Sequence, residues 1–124
     1  MILGLGTDIV EIQRISKALS ASEKLPLRLL TENEQQEYAQ SKDKARYLAK
    51  KFAAKEALAK AMGTGIGRGI GWQHFEIGHD ASGKPLVSLS QGAKQWSEEH
   101  KVTHIHISIS DEVHYAIATA VIEA

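Results

Sequence analysis

The apolar positions of this chain change period several times, and each change marks an element. Met1 to Asp8 opens with a short apolar run that reads as a buried strand. Over Ile9 to Leu19 the residues Ile12, Ile15, Ala18 and Leu19 recur at helical intervals, and Asp8 and Glu11 have the spacing of a pair that would start that helix. Ser20 to Lys24 is polar and reads as a loop, Pro26 breaks the pattern, and Thr31-Glu32-Asn33-Glu34 has capping-box spacing for a short helix to about Gln40. Asp43 is placed to cap a long helix, with Ala45, Leu48, Phe52, Ala53, Leu58 and Met62 supplying much of its apolar surface.

That helix dissolves into Gly63, Gly65, Gly67, Gly69 and Gly71. Beyond them Trp72 to Gly78 reads as a strand, Asp80 to Pro85 as a turn, Leu86 to Leu89 as a short strand, and Ser90 as the cap of a helix to about His100. Thr103 to Ser110 alternates strictly, with isoleucines on one face and histidine or serine on the other, and after a turn at Asp111-Glu112 a last strand runs from Val113 to Ile122. A terminal hairpin without regular strand-helix alternation predicts an α+β class, and 124 residues suit a single domain, 1–124.

Composition narrows the chemistry. The absence of cysteine excludes disulfides, thiol nucleophiles and thiolate metal sites, and fits a reducing compartment. Asp8 cuts short the apolar start, and no apolar run approaches the roughly 20 residues that span a bilayer, so the expectation is a soluble, cytoplasmic protein that does not engage membranes. The formal net charge is zero, but between Lys42 and Arg68 eight basic residues face only Asp43 and Glu56, a local excess of six. Such segregation suggests a focused positive field for an anionic ligand; a solvated lysine-rich helix face is the plainer alternative.

Helix termination accounts for Gly63, whereas the later glycines suggest a backbone brought close to a bulky ligand, with amide N–H groups free for anionic oxygens. A simple flexible loop is the alternative. No Gly-Lys-Ser/Thr follows at Walker A spacing, so the standard nucleotide loop is excluded. Phe52, Glu56, Lys60 and Gly63 share one helical row. Asp8 and Glu56 are the carboxylates of interest, since magnesium on a pyrophosphate is held by one or two carboxylates, waters and phosphate oxygens. A bare Glu56–Lys60 pair, worth about 0.2–0.5 kcal/mol, competes with that reading. His104 and His106 share a strand face; the spacing occurs in zinc sites, but no third ligand is evident, and the more ordinary role is lining a polar groove.

Three segments, GLGTDIVEIQRI at Gly4 to Ile15, KFAAKEALAKAMGTGIG at Lys51 to Gly67 and HISISDEVHYAIATAVIE at His106 to Glu123, together with the SGKP turn at Ser82 to Pro85, resemble the small bacterial holo-acyl-carrier-protein synthases, a type of 4'-phosphopantetheinyl transferase. The resemblance implies a mostly antiparallel sheet packed on one long helix, and a magnesium-dependent transfer of 4'-phosphopantetheine from coenzyme A to a serine of apo-acyl carrier protein, releasing 3',5'-ADP in support of fatty acid biosynthesis. It implies Asp8 and Glu56 as the catalytic, magnesium-holding carboxylates. It also implies contacts to coenzyme A from Lys51, Lys60, Gly63, Thr64, Gly65, Pro85 and His106. Lys51 stands where the family often has arginine, and Val10 where larger relatives have a second acid. Arg14, Lys17, Lys24 and Arg28 would dock the acidic carrier, and the assembly implied is a homotrimer with sites between subunits. Two rivals remain from the residues alone: a phosphate-binding module that needs no metal, and a nucleic-acid binder using the Lys42 to Arg68 face, which the few aromatic residues disfavour.

Overall fold

A computed structural model describes residues 1–124. In chain order the elements are β1 (Ile2–Glu11), α1 (Ile12–Ala21), α2 (Lys24–Leu29), α3 (Glu32–Gln40), α4 (Lys44–Met62), a 3₁₀ turn (Trp72–His74), β2 (Phe75–His79), β3 (Pro85–Leu89), α5 (Gln91–Glu99), β4 (His104–Asp111) and β5 (Tyr115–Glu123). The strands form two antiparallel sheets, one ordered β1-β5-β4 and the other the β2-β3 hairpin. This is the α+β architecture expected, with the antiparallel pairing divided between two sheets.

The long helix α4 lies on one face of the three-stranded sheet. Ala53, Ala54, Ala57, Leu58 and Ala61 pack there with Ala118, Ala120 and Ile122 of β5, all buried. Alanine on both sides allows a close approach, and on β1 even alanine is too large. A Cβ on Gly4 would stand 1.7 Å from the carbonyl oxygen of Ala61, and one on Gly6 would stand 2.1 Å from that of Ala57. The two glycines after Leu3 and Leu5 therefore let the β1 backbone lie directly on α4. A second cluster of Ile12, Ile15, Leu29, Leu30, Leu48 and Ala49 joins α1 and α2 to the first half of α4.

A buried ion pair ties the remaining layer down. The Lys55 ammonium donates to Glu34 Oε1 at 2.5 Å and to the Leu29 carbonyl oxygen at 2.7 Å. Glu34 also accepts from the backbone N–H groups of Thr31 and Ile77. One carboxylate thus closes the expected capping box of α3 and fastens it to α4 and β2. Burial pushes the Lys55 pKa down, against the opposing pull of Glu34.

Several boundaries differ from the pattern reading. β1 continues to Glu11, which pairs with Tyr115, and α1 begins only at Ile12, so Asp8 caps no helix. The helical spacing of Ile12 and Ile15 is real, but ladder bonds to β5 hold Ile9 to Glu11 extended. Pro26 lies in the first turn of α2, where its missing N–H has no intrahelical partner to lose. Trp72 to His74 forms a turn before β2, because the Gly71 N–H donates to His74 Nδ1 and the His74 N–H to the Gly71 carbonyl. Ser90 precedes α5 without a side-chain cap, and β5 begins at Tyr115 rather than Val113. Asp43 caps α4 through the Arg46 N–H as expected.

Candidate active site

The close seating of β1 on α4 sets the site. Alternate residues of β1 face the helix, Gly4, Gly6, Asp8 and Val10, while Leu3, Leu5, Thr7 and Ile9 face outward. Asp8 thereby meets α4 where Lys60 emerges. Lys60 Nζ donates to Asp8 Oδ1 and to the Thr7 carbonyl oxygen, both at 3.0 Å. One helical turn earlier Glu56 is half-buried, and its Oε2 accepts from the Trp72 indole N–H at 3.1 Å. The bare Glu56–Lys60 pair is not formed, because each partner has turned to a different element. Asp8 Oδ2 and Glu56 Oε1 make no hydrogen bond to the protein.

Gly63 ends α4 in the left-handed conformation, with φ of 77°. Gly65, Gly67 and Gly69 have φ of 64°, 116° and 85°, and the space where their Cβ atoms would stand is open. Their glycine requirement is thus backbone conformation rather than crowding by the chain. The Gly65 N–H donates back to the Ala59 carbonyl, and Thr64 is half-buried between its glycine neighbours. The segment is an ordered exit from the helix at the end of the Glu56–Lys60 row.

The expected positive field is largely neutralised. Lys55 is sealed against Glu34, and Arg46 is paired with Asp43 and Asp111. Lys51, expected at coenzyme A, points inward: its side chain is 5% exposed and its Nζ donates to the Ile77 carbonyl oxygen at 2.9 Å. The reason is position, since Lys51 and Lys55 lie one turn apart on the face of α4 that looks toward α3 and β2. Lys60, on the row facing β1, keeps an exposed ammonium.

Two other expected ligand contacts lie apart from this cluster. Pro85 opens β3, opposite His79 in the second sheet. His106 lies on β4, across β5 from β1, with Val121 and Leu5 in register beside it. That row faces outward, so His106 and Asp8 occupy opposite faces of the same sheet. His106 Nε2 pairs with Glu123, which holds the Glu123 carboxyl below its ordinary pKa. His104 stacks beside His106, and no group of three histidine, aspartate or glutamate side chains is gathered to hold a metal. Arg14 and Lys17 on α1 and Lys24 and Arg28 on α2 are exposed and carry no ion pair.

Trp72 was not singled out by the sequence pattern, which made it the start of a strand. Its ring packs on Phe52 with centroids 5.9 Å apart, and with Leu27, Arg28 and Ile66 it lines an open cleft of about 450 Å³. The signal available was a single tryptophan directly after the glycine run, one N–H donor within reach of an acid on the preceding helix.

Comparison with known proteins matches residues 4–120 to the family described as the 4'-phosphopantetheinyl transferase superfamily. A holo-[acyl-carrier-protein] synthase from Vibrio campbellii is 52% identical over 124 residues, covering 99% of this chain and 98% of its own. The crystal structure of the holo-[acyl-carrier-protein] synthase from Neisseria meningitidis superposes with a TM-score of 0.95 at 41% identity, covering 100% of both chains. The synthase of Bacillus anthracis, determined in complex with CoA (3',5'-ADP), superposes at 0.86 with 37% identity, over 100% of this chain and 98% of that one. With its motifs in order and its fold shared end to end, this chain belongs to the 4'-phosphopantetheinyl transferase superfamily, in the holo-[acyl-carrier-protein] synthase family.

Proposed function

We propose that the protein transfers 4'-phosphopantetheine from coenzyme A to a serine hydroxyl of apo-acyl carrier protein, in the cytoplasm and in support of fatty acid biosynthesis. The transfer joins the serine oxygen to the pantetheine phosphorus, the pyrophosphate bond breaks, and 3',5'-ADP leaves. The observation that carries this reading is the crossing of β1 over α4, where Lys60 holds Asp8 one helical turn from Glu56 and the helix then ends in the Gly63-Thr64-Gly65 turn.

The donor set fits magnesium. Asp8 and Glu56 each present one carboxylate oxygen without a protein partner, and two hard oxygens completed by water and phosphate suit that ion. Bound there, magnesium would neutralise charge building on the leaving diphosphate. Lys60, already held over Asp8, adds a cation within reach of a phosphate oxygen, and the turn at Gly63 to Gly65 leaves open space beside it. Arg14, Lys17, Lys24 and Arg28 form an unpaired basic edge for an acidic carrier, and Arg28 borders the Trp72 cleft.

Pro85 and His106 belong to the coenzyme site only if another copy supplies them, since His106 and Asp8 face opposite sides of one sheet. We therefore place the site between subunits of a homotrimer. The outward face of β1 and β5 supports this, because Leu3, Leu5, Ile9, Tyr115 and Ile117 stand exposed there, an apolar surface suited to a neighbouring copy.

The test is mass spectrometry of apo-acyl carrier protein incubated with the enzyme, coenzyme A and magnesium. A serine-linked phosphopantetheine adduct is expected, abolished or greatly slowed by Glu56→Gln. No adduct from the wild-type protein would overturn the reaction, and wild-type rates in Glu56→Gln would remove Glu56 from the site.

A further inference from the structure

Resting on that site, we infer that Trp72 is a positioning residue for Glu56: its indole N–H holds one carboxylate oxygen and leaves the other to face a divalent cation. The geometry is specific. The N–H reaches Glu56 Oε2 at 3.1 Å, and Glu56 Oε1 has no protein donor. A carboxylate held at one oxygen presents the other in a single direction, so it approaches a cation through one atom rather than chelating it with two. Removing such a partner lowers metal affinity or activity by about ten- to a hundredfold where it has been tested in metal sites.

Two further contacts fix the ring itself. Phe52, one turn before Glu56, packs on it at 5.9 Å between centroids, so one helix row supports both the tryptophan and its acceptor. The 3₁₀ turn that carries Trp72 is closed by the Gly71 N–H on His74 Nδ1. Just upstream, Gly92 of α5 lies against the Gly69 carbonyl so closely that a Cβ there would meet it at 2.0 Å. The end of the glycine segment is thus braced by α5, and its next residues carry the donor that orients Glu56. Trp72 connects the conformation of that segment to the direction of the carboxylate. It also lines the cleft bordered by Arg28, and so stands between Glu56 and the basic edge.

The experiment uses Trp96→Phe, which leaves Trp72 as the only indole, since Trp96 stacks on His100 at the far end of α5. Magnesium titrated with coenzyme A into this protein is expected to shift or quench Trp72 emission, and adding Glu56→Gln should abolish that response. Trp72→Phe in the otherwise unaltered enzyme keeps an aromatic ring against Phe52 and removes the N–H together with the rest of the indole's second ring. It should raise the half-saturating magnesium concentration about tenfold, with kcat recovered at high magnesium despite a slight fall in melting temperature. A merely structural role would lower kcat at every magnesium concentration together with the melting temperature. An unchanged magnesium requirement in Trp72→Phe, or Trp72 emission indifferent to magnesium, would overturn the inference. If Glu56→Gln retains magnesium-dependent transfer, it is the assignment of Glu56 that fails instead.

Discussion

Helix α4 carries a lysine-carboxylate pair on each of two faces, and the two pairs differ in nearly everything but chemistry. Lys55 and Glu34 meet at 2.5 Å with side chains 0% and 1% exposed, and every polar atom of the pair is engaged. Lys60 and Asp8 meet at 3.0 Å, with Lys60 half in solvent and one Asp8 oxygen unused. A sealed pair cannot give up a partner without leaving a charge buried, so it serves only to hold elements together. An open pair can exchange its lysine for a ligand at little cost, because water replaces whatever is lost. The same residue types thus make a fastener on one face and a candidate binding site on the other, and solvent access separates the two roles.

The contrast can be broken most severely from the buried side. Lys55→Met should cost about 3–5 kcal/mol in urea unfolding, since Glu34 keeps its charge without a cation. Adding Glu34→Leu should not restore it, because the Thr31 and Ile77 N–H groups would then lose their acceptor. Gly6→Ala tests the seating of β1. With its Cβ 2.1 Å from the Ala57 carbonyl, strand and helix must separate, at about 1–3 kcal/mol and with loss of transfer as Asp8 moves from Lys60. A thermal melt alongside an activity assay checks both effects.

The open pair should respond in the opposite sense. Lys60→Met is expected to change stability by less than about 1 kcal/mol, yet to raise the KM for coenzyme A about tenfold or more, as the loss of a charged hydrogen bond requires. A stability loss as large as that of Lys55→Met would erase the distinction. Charge reversal at Arg14 and Arg28 together should raise the KM for the carrier and leave that for coenzyme A nearly unchanged; equal loss for both would remove the basic edge as the docking site.

The smallest effect concerns the exposed His106–Glu123 pair. Because His106 lowers the Glu123 pKa, the pair stabilises the fold above the ordinary glutamate value near 4.5, and this is lost as pH falls through the lowered value. The urea midpoint difference between wild type and Glu123→Gln should therefore be slight at pH 7 and shrink away as pH falls below the ordinary glutamate value.

Much of this protein was legible before its structure. The alternating Ile105, Ile107 and Ile109, the Thr31–Glu34 capping box, the Asp43 cap and the left-handed Gly63 are local devices, each decided by neighbours in sequence. The motifs around Asp8, Glu56 and the terminal hairpin identified the family. Charge was the misleading signal, because a count of basic residues between Lys42 and Arg68 cannot tell an ammonium buried against Glu34 from one facing water. Lys51 and Lys60 fall in the same lysine-rich run, and only the packing of α4 against both β1 and the α3–β2 layer assigns one to the interior and the other to the open cluster.

By itself the sequence determined the element types, the family and the residues able to carry the chemistry, since periodicity, caps and motif spacing are written within a few residues of each other. Tertiary structure alone decided that Asp8 stays in a strand instead of opening a helix, that Trp72 reaches Glu56, and that His106 faces away from Asp8. Those outcomes depend on sheet register and on the depth to which two glycines let a strand sink onto a helix, contacts between segments dozens of residues apart that local pattern does not encode.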